Sequence, residues 1–323
     1  MRRSKVISVI ALIAGLAVYL NNSSYLASPP ADRPSLLAHR GLHQTYDRTG
    51  ITSETCTASR IDPPTHPFLE NTIPSMQAAF DLGADVVELD VHPTKDGHFV
   101  VFHDWTLDCR TDGHGVTREH TLAELKALDI GYGYTPDDGK TYPFRGRGIG
   151  LMPTLSEVLT AFPERTLLIN VKSNDAQEGA QLADMLAQLP NERLERIMVY
   201  GGDAPIQVLR QRLPPLRTMS RQTLKSCFLR YAALGWSGYV PHPCRNTLLL
   251  VPTNIGPWLW GWPHVFQRRL ARYNTVIYAV APYDGGEFSS GINNPDQLSL
   301  LPKDYVGGIW TDRIDIIGKL LAN

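Results

Sequence analysis

A single α/β domain built as a (β/α)8 TIM barrel is the architecture the sequence predicts. Three observations carry that prediction. Short apolar, β-branched runs alternate with helical patterns along most of the chain, several of those runs break to polar residues where they end, and no linker or internal repeat divides them. The chain has 323 residues, 43% of them hydrophobic, and 31 basic side chains against 32 acidic ones. Plentiful apolar residues exclude disordered and fibrous classes. A formal charge of -1 with no long basic run leaves no electrostatic footprint for nucleic acid.

Residues 1–34 stand apart from the barrel domain, 35–323. Arg2, Arg3 and Lys5 precede the uncharged run Val6–Leu20, and a Pro-rich stretch follows through Pro34. At about 1.5 Å per residue that run is shorter than a ~30 Å hydrocarbon core, between a signal-peptide core and a full span. Tyr25, two residues before Ala27, makes a poor cleavage site. The segment therefore reads as an uncleaved membrane anchor that places the barrel outside the cytoplasm; cleavage would release it as a secreted or periplasmic protein.

The predicted strands, in order, are Leu36–His39, Val86–Val91, Phe99–Phe102, Leu167–Val171, Arg196–Val199, Leu216–Met219, Gly238–Val240, Thr275–Val280 and Gly308–Trp310. An eight-stranded barrel leaves one of them false or extra. Helical patterns fall at Ile73–Leu82, Leu122–Leu128, Leu155–Phe162, Ala176–Leu189, Ala204–Arg212, Gln222–Leu234, Val265–Tyr273 and Ile314–Leu321, with Thr154 and Glu157 spaced as a capping box. Cys56, Cys109, Cys227 and Cys244 lack zinc-site spacing. In an exported chain they allow disulfides, Cys56 with Cys109 first because both fall in predicted loops, the alternative being four free thiols.

Barrel enzymes place chemistry at strand C-termini. The first strand ends in His39-Arg40-Gly41, the third in His103-Asp104, and the fourth carries Asn170 and Lys172 two residues apart. In the second strand, Glu88 and Asp90 point to one side by the period-two rule. Two buried carboxylates repel and lose hydration, so they call for a counter-cation. A divalent ion is the simplest one, and oxygen donors favour Ca²⁺ or Mg²⁺ over zinc. Two imidazoles, a carboxylate pair and two cations suit phosphoryl transfer.

These residues resemble the glycerophosphodiester phosphodiesterase family. The ordered matches are His39-Arg40-Gly41, Glu70-Asn71-Thr72 before a helix, Glu88-x-Asp90, Asp96-Gly97 leading to His103-Asp104, Met152-Pro153-Thr154-Leu155, Asn170-x-Lys172, and Gly308-Ile309-Trp310-Thr311-Asp312-Arg313. The resemblance is strongest over 36–172 and weak over about 200–305. It implies a metal-dependent TIM barrel that hydrolyses glycerophosphodiesters to glycerol 3-phosphate and an alcohol. It further implies His39 and His103 as the acid/base pair, Glu88, Asp90 and Asn170 as metal ligands, and Arg40 and Lys172 as phosphate-binding cations. Glu70 and Asn71 would support or complete the substrate site from the loop before the first long helix. The departure is Asn170, where the family usually has a third acidic ligand; a neutral amide oxygen still binds Ca²⁺ or Mg²⁺ but adds no charge.

The segment Pro252–Pro263 holds Trp258, Trp260 and Trp262, three of the six tryptophans, either packed on the barrel or resting on a bilayer. A lipid-derived phosphodiester is thus an alternative to a soluble one, which would make the chain a phospholipase D-like enzyme. A weakened metal site would instead leave a non-catalytic envelope binding protein.

Overall fold

The computed structural model describes residues 2–31, 33–52, 55–285 and 290–322. Its strands are β1 (Leu36–Ala38), β2 (Val86–Pro93), β3 (Phe99–Val101), β4 (Thr166–Val171), β5 (Ile197–Gly201), β6 (Arg217–Ser220), β7 (Leu248–Pro252), β8 (Val276–Val280) and β9 (Gly308–Thr311). All except β3 lie in the order β6-β5-β4-β2-β1-β9-β8-β7 as a parallel sheet. The ends nearly close: Thr218 N–H donates to Asn246 O at 3.3 Å, and the Thr247 hydroxyl donates to Thr218 O at 2.6 Å. A TIM barrel results.

The helices are α1 (Arg2–Asn22), α2 (Ile73–Asp81), α3 (Leu122–Lys126), α4 (Leu155–Ala161), α5 (Ala176–Leu186), α6 (Asn191–Leu194), α7 (Asp203–Arg212), α8 (Arg221–Leu234), α9 (His264–Ala271), α10 (Pro295–Leu298) and α11 (Ile314–Leu321). Capping boxes start several of them, Thr154 with Glu157 on α4 among them, so orphan N–H groups at those ends find side-chain acceptors. The short helices α6 and α10 were not among the helical patterns.

Two strand assignments need correction. Gly238–Val240 is not a strand: Gly238 has a φ of +88° and closes a 3₁₀ turn. Its place is taken by Leu248–Pro252, an entirely buried run absent from the predicted set. The extra strand is β3, antiparallel to β2 with Val91 opposite Val101 and Pro93 opposite Phe99. That return brings the chain back to the rim, where Phe102 N–H donates to Asp90 O at 3.0 Å. His103 therefore reaches the rim on a hairpin and not on a barrel strand.

Apolar residues form separate cores. One lies between sheet and helices and contains Ala38, Val87, Leu89, Val91, Ile169 and Val199. A second fills the barrel interior and the α8/α9 flank, with Leu37, Val86, Leu168, Met198 and Trp310. A third joins the loop after β1 to the segment after β2 through Ala58, Leu69, Phe102, Leu107, Phe144 and Met152. The expected Cys56–Cys109 disulfide ties those same two segments, and a second bridge joins Cys227 to Cys244. Helix α1 carries an apolar stretch, Lys5–Asn22, long enough to cross a membrane and with none of it buried.

Candidate active site

Strand alternation aligns the polar row. Val86 faces the barrel interior while Val87, Leu89 and Val91 pack under the helices, so Glu88 and Asp90 follow Val86 inward. In register, Asp90 lies beside Asn170 on β4, and Asn170 beside Tyr200 on β5. Asn170 Nδ2 donates to Asp90 Oδ1 at 2.8 Å, and the Tyr200 hydroxyl donates to Glu88 Oε1 at 2.7 Å. Both carboxylates are wholly buried.

The turn after β1 is conformationally special. Arg40 has a φ of +57° and Gly41 a φ of +77°. A Cβ on Gly41 would stand 2.8 Å from the Ser75 carbonyl carbon, so only glycine fits. This turn aims the Arg40 guanidinium at three neighbours: Nη1 lies 3.2 Å from Glu70 Oε1, and Nε lies 3.3 Å from Asp90 Oδ2 and 3.2 Å from His39 Nε2. Asn71, also left-handed at +58°, donates its N–H to Arg40 O at 3.1 Å. Its side chain grips Asp90, Nδ2 donating to Oδ2 and Oδ1 accepting from Asp90 N–H, both at 3.0 Å. Glu70 and Asn71 thus sit beneath the rim and hold Arg40 and Asp90.

Each histidine is backed by a carboxylate. His39 Nδ1 lies 2.6 Å from Asp312 Oδ1, and His103 Nδ1 lies 2.6 Å from Asp104 Oδ1. Arg40 Nε–H points at His39 Nε2, which must therefore present its lone pair, leaving the ring proton on Nδ1 toward Asp312. Burial, reinforced by the charge of Arg40, lowers both imidazoles to about 4, so both are neutral at pH 7. Behind them, Arg110 donates from Nη1 to Asp104 Oδ2 at 2.7 Å and from Nη2 to Glu70 Oε2 at 3.2 Å. One buried guanidinium braces the supports of both His103 and Arg40.

The carboxylate pair splits. Burial, with Asp90 close by, raises Glu88 well above the ordinary carboxylate range. Burial also opposes ionisation of Asp90, but Lys172, whose Nζ is 3.5 Å from Oδ1, and Arg40 outweigh it and hold Asp90 well below that range. The counter-charge the sequence called for is thus supplied at Asp90 by protein cations. Glu88, Asp90 and the Asn170 amide still converge as oxygen donors, a set that fits a hard divalent ion once the amide turns its oxygen inward. His39, His43 and Asp312 also bring ligand atoms within 4.8 Å of one another. In that cluster the Asp312 carboxylate is engaged as that of Asp90 is, its Oδ2 accepting from Arg48 at 2.6 Å, Asn293 at 2.9 Å and Gly291 N–H at 3.2 Å.

A cavity of about 370 Å³ opens above this array, and His39, Arg40, His103, Asn170, Lys172 and Tyr200 contribute to its walls. Glu88, Asp90, Glu70 and Asn71 lie behind those walls. Tyr200, Asp104, Arg110 and Asp312 join the site without a role predicted from sequence. Tyr200 and Asp312 each sit at or just past a barrel strand's C-terminus, the signal used for the other residues.

Comparison with known proteins now adds its weight: the profile of the Glycerophosphoryl diester phosphodiesterase family matches residues 39–205, half of the chain. The chain belongs to this family. Among curated family relatives, a glycerophosphodiester phosphodiesterase of Caldanaerobacter subterraneus is 43% identical over 32% of this chain and 39% of its own length. One from Bacillus subtilis is 32% identical over 60% of each. The chain thus spans from two fifths to three fifths of those relatives. Among solved structures, an Oleispira antarctica phosphodiesterase in complex with the product sn-glycerol-3-phosphate superposes with a TM-score of 0.55 at 19% identity, covering 89% of this chain and 97% of that one. The family match ends before β6, yet β6–β9 complete the barrel, and Asp312 reaches His39 from outside the matched span.

Proposed function

We propose that the chain hydrolyses glycerophosphodiesters to glycerol 3-phosphate and an alcohol. The observation carrying this reading is that two neutral, carboxylate-backed imidazoles share one cavity with Arg40 and Lys172. Arg40 and Lys172 bind the phosphodiester oxygens. His39 or His103 accepts through Nε2 the proton of the attacking oxygen, either water directly or the neighbouring glycerol hydroxyl with water then opening the cyclic phosphate, and the other protonates the leaving alkoxide. A bound anion offsets the cationic field on both rings and raises their pKa values, which lets one of them carry the acid's proton. Glu88, Asp90 and Asn170 would hold a Ca²⁺ or Mg²⁺ ion, whose charge stabilises negative phosphate oxygens when bound. Glu70 and Asn71 position Arg40 and Asp90.

The cavity volume favours a small, soluble diester, since about 370 Å³ is near the lower end of small-molecule sites, about 300–1,000 Å³. The deciding assay offers the full chain glycerophosphocholine, glycerophosphoethanolamine, glycerophosphoglycerol and their lyso and diacyl lipids, and follows headgroup release with Ca²⁺, Mg²⁺ or chelator. Release from the soluble diesters that vanishes in His103→Ala supports the proposal. Release only from lipids would make it a phospholipase D-like enzyme, and none at all from folded protein would make it a binding protein.

We also read α1 as a retained anchor holding the barrel outside the cytoplasm. Two disulfides support an oxidising compartment. Intact mass of the mature protein checks it: a start near residue 28 means the segment was removed.

A further inference from the structure

Helix α1 is not a loose tether. Arg269, itself buried, donates from Nη1 to Asn22 Oδ1 at 2.9 Å and from Nη2 to Asn21 O at 2.7 Å. Asn22 Nδ2 donates to Trp236 O at 2.8 Å, and the Ser24 hydroxyl donates to Gly261 O at 2.7 Å while accepting the His264 N–H at 3.1 Å. The end of α1 is therefore bolted to α9 and to the turn after α8, which fixes the direction in which the helix leaves the barrel. Its apolar stretch Lys5–Asn22 has 18 residues and spans about 27 Å, close to a ~30 Å hydrocarbon core.

Around that bolt the surface is unusually apolar. Tyr25 is 98% exposed, Trp258 84%, Leu26 68% and Trp236 46%. Between α1 and this collar lies a cleft of about 840 Å³ walled by Val18, Tyr19, Trp258, Trp260 and Leu300 among others. The three clustered tryptophans divide here: Trp262 packs on Phe266 and Tyr305 as part of the core, whereas Trp258 projects outward. An exposed aromatic patch beside a helix of membrane-spanning length has the composition of a headgroup-level belt.

We propose that this flank is a bilayer-contact face: the barrel rests on phospholipid through Tyr25, Leu26, Trp236 and Trp258, and lipid fills the cleft beside α1. The proposal rests on the reading of α1 as a retained anchor. Its consequence is a barrel held at one fixed orientation to the membrane by the Asn22–Arg269 contact.

The test reconstitutes the full chain into phosphatidylcholine/phosphatidylglycerol vesicles whose acyl chains carry bromine, and reads quenching of tryptophan emission. In the Trp236→Phe/Trp258→Phe double variant, about half or more of the quenchable emission is expected to disappear. Trp105→Phe, at an exposed tryptophan packed against His92 and Arg118, leaves it unchanged. Asn22→Ala keeps the chain on the vesicles but lowers quenching, because the orientation is no longer fixed. Flotation with quenching that ignores the double variant overturns the face and leaves the anchor standing. Failure to float overturns both. Protection of Trp258 by dimerisation in detergent, without lipid quenching, assigns the patch to a second copy and also overturns the proposal.

Discussion

Replacing Asp312 by asparagine isolates the proton bookkeeping at His39. The Oδ2 side of Asp312 faces three N–H donors, from Arg48, Asn293 and Gly291, so an amide there must turn its oxygen toward them. Its NH₂ group then faces His39 Nδ1, at present 2.6 Å from Asp312 Oδ1. Nδ1 is forced to accept, the ring proton moves to Nε2, and the imidazole can neither take a proton there as base nor hold the second proton it needs as acid. The new Nε2–H also confronts Arg40 Nε–H, now 3.2 Å away and donating, so the Arg40 guanidinium is displaced as well. The equivalent exchange in a Ser-His-Asp triad lowers kcat by about 10⁴ through the same wrong tautomer. For Asp312→Asn a fall of about 10³- to 10⁴-fold in kcat follows, roughly 4–5.5 kcal/mol of transition-state stabilisation, with a several-fold rise in KM. Steady-state turnover of the preferred glycerophosphodiester, alongside thermal unfolding to show an intact fold, measures it. A folded Asp312→Asn protein within about three-fold of the parent kcat would refute the tautomer argument.

Other perturbations test other parts of the structure. His39 and His92 are buried and His103 is half-buried, and each is lowered to about 4. They take up protons on unfolding, so stability present at pH 7 is lost as pH falls from about 6.5 toward 4, by up to about 3 kcal/mol per group; denaturant unfolding at a series of pH values should show that slope, and a flat profile contradicts it. Arg110→Lys cannot brace Asp104 and Glu70 together, so kcat/KM should drop about 10- to 100-fold with a shifted pH profile, and an unaltered profile would show that bracing is irrelevant. Asn170→Asp replaces a donor to Asp90 with a third carboxylate, so calorimetry should show about ten-fold tighter Ca²⁺ or Mg²⁺ binding, and no gain would remove Asn170 from the ligand set. Reducing both disulfides should cost about 2–4 kcal/mol each, read as a lower unfolding midpoint.

Local patterns made much of this molecule legible. Thr154 and Glu157 specify the start of α4, and the run Val86–Val91 specifies both a buried strand and the inward side of Glu88 and Asp90. Longer-range features were harder to read. Leu248–Pro252 is leucine-rich and lacks alternation, whereas Gly238-Tyr239-Val240 looks strand-like until a left-handed glycine requirement intervenes. Phe99–Val101 has ordinary strand chemistry, and nothing local shows that it pairs backward on β2. At the site, the residues at strand ends declared themselves, but Arg110 lies in a loop, and only folding brings it between Asp104 and Glu70. The role of Glu70 and Asn71 as braces depends on the left-handed turns at Arg40 and Asn71, which sequence spacing does not display.

The third apolar core has a consequence for how the protein ages under heat. It joins the loop after β1 to the segment after β2, lies outside the β/α repeat, and is stapled by Cys56–Cys109. His103 hangs from this cap, whereas His39 belongs to the barrel. A small core with its own covalent staple can open as a separate unit, at a free energy below that of the barrel. Heating should then separate the two histidines while the sheet is still intact, so catalysis fails before the circular dichroism of the barrel changes. Preserving the cap, and not the barrel, would set how long the proposed hydrolysis survives heating.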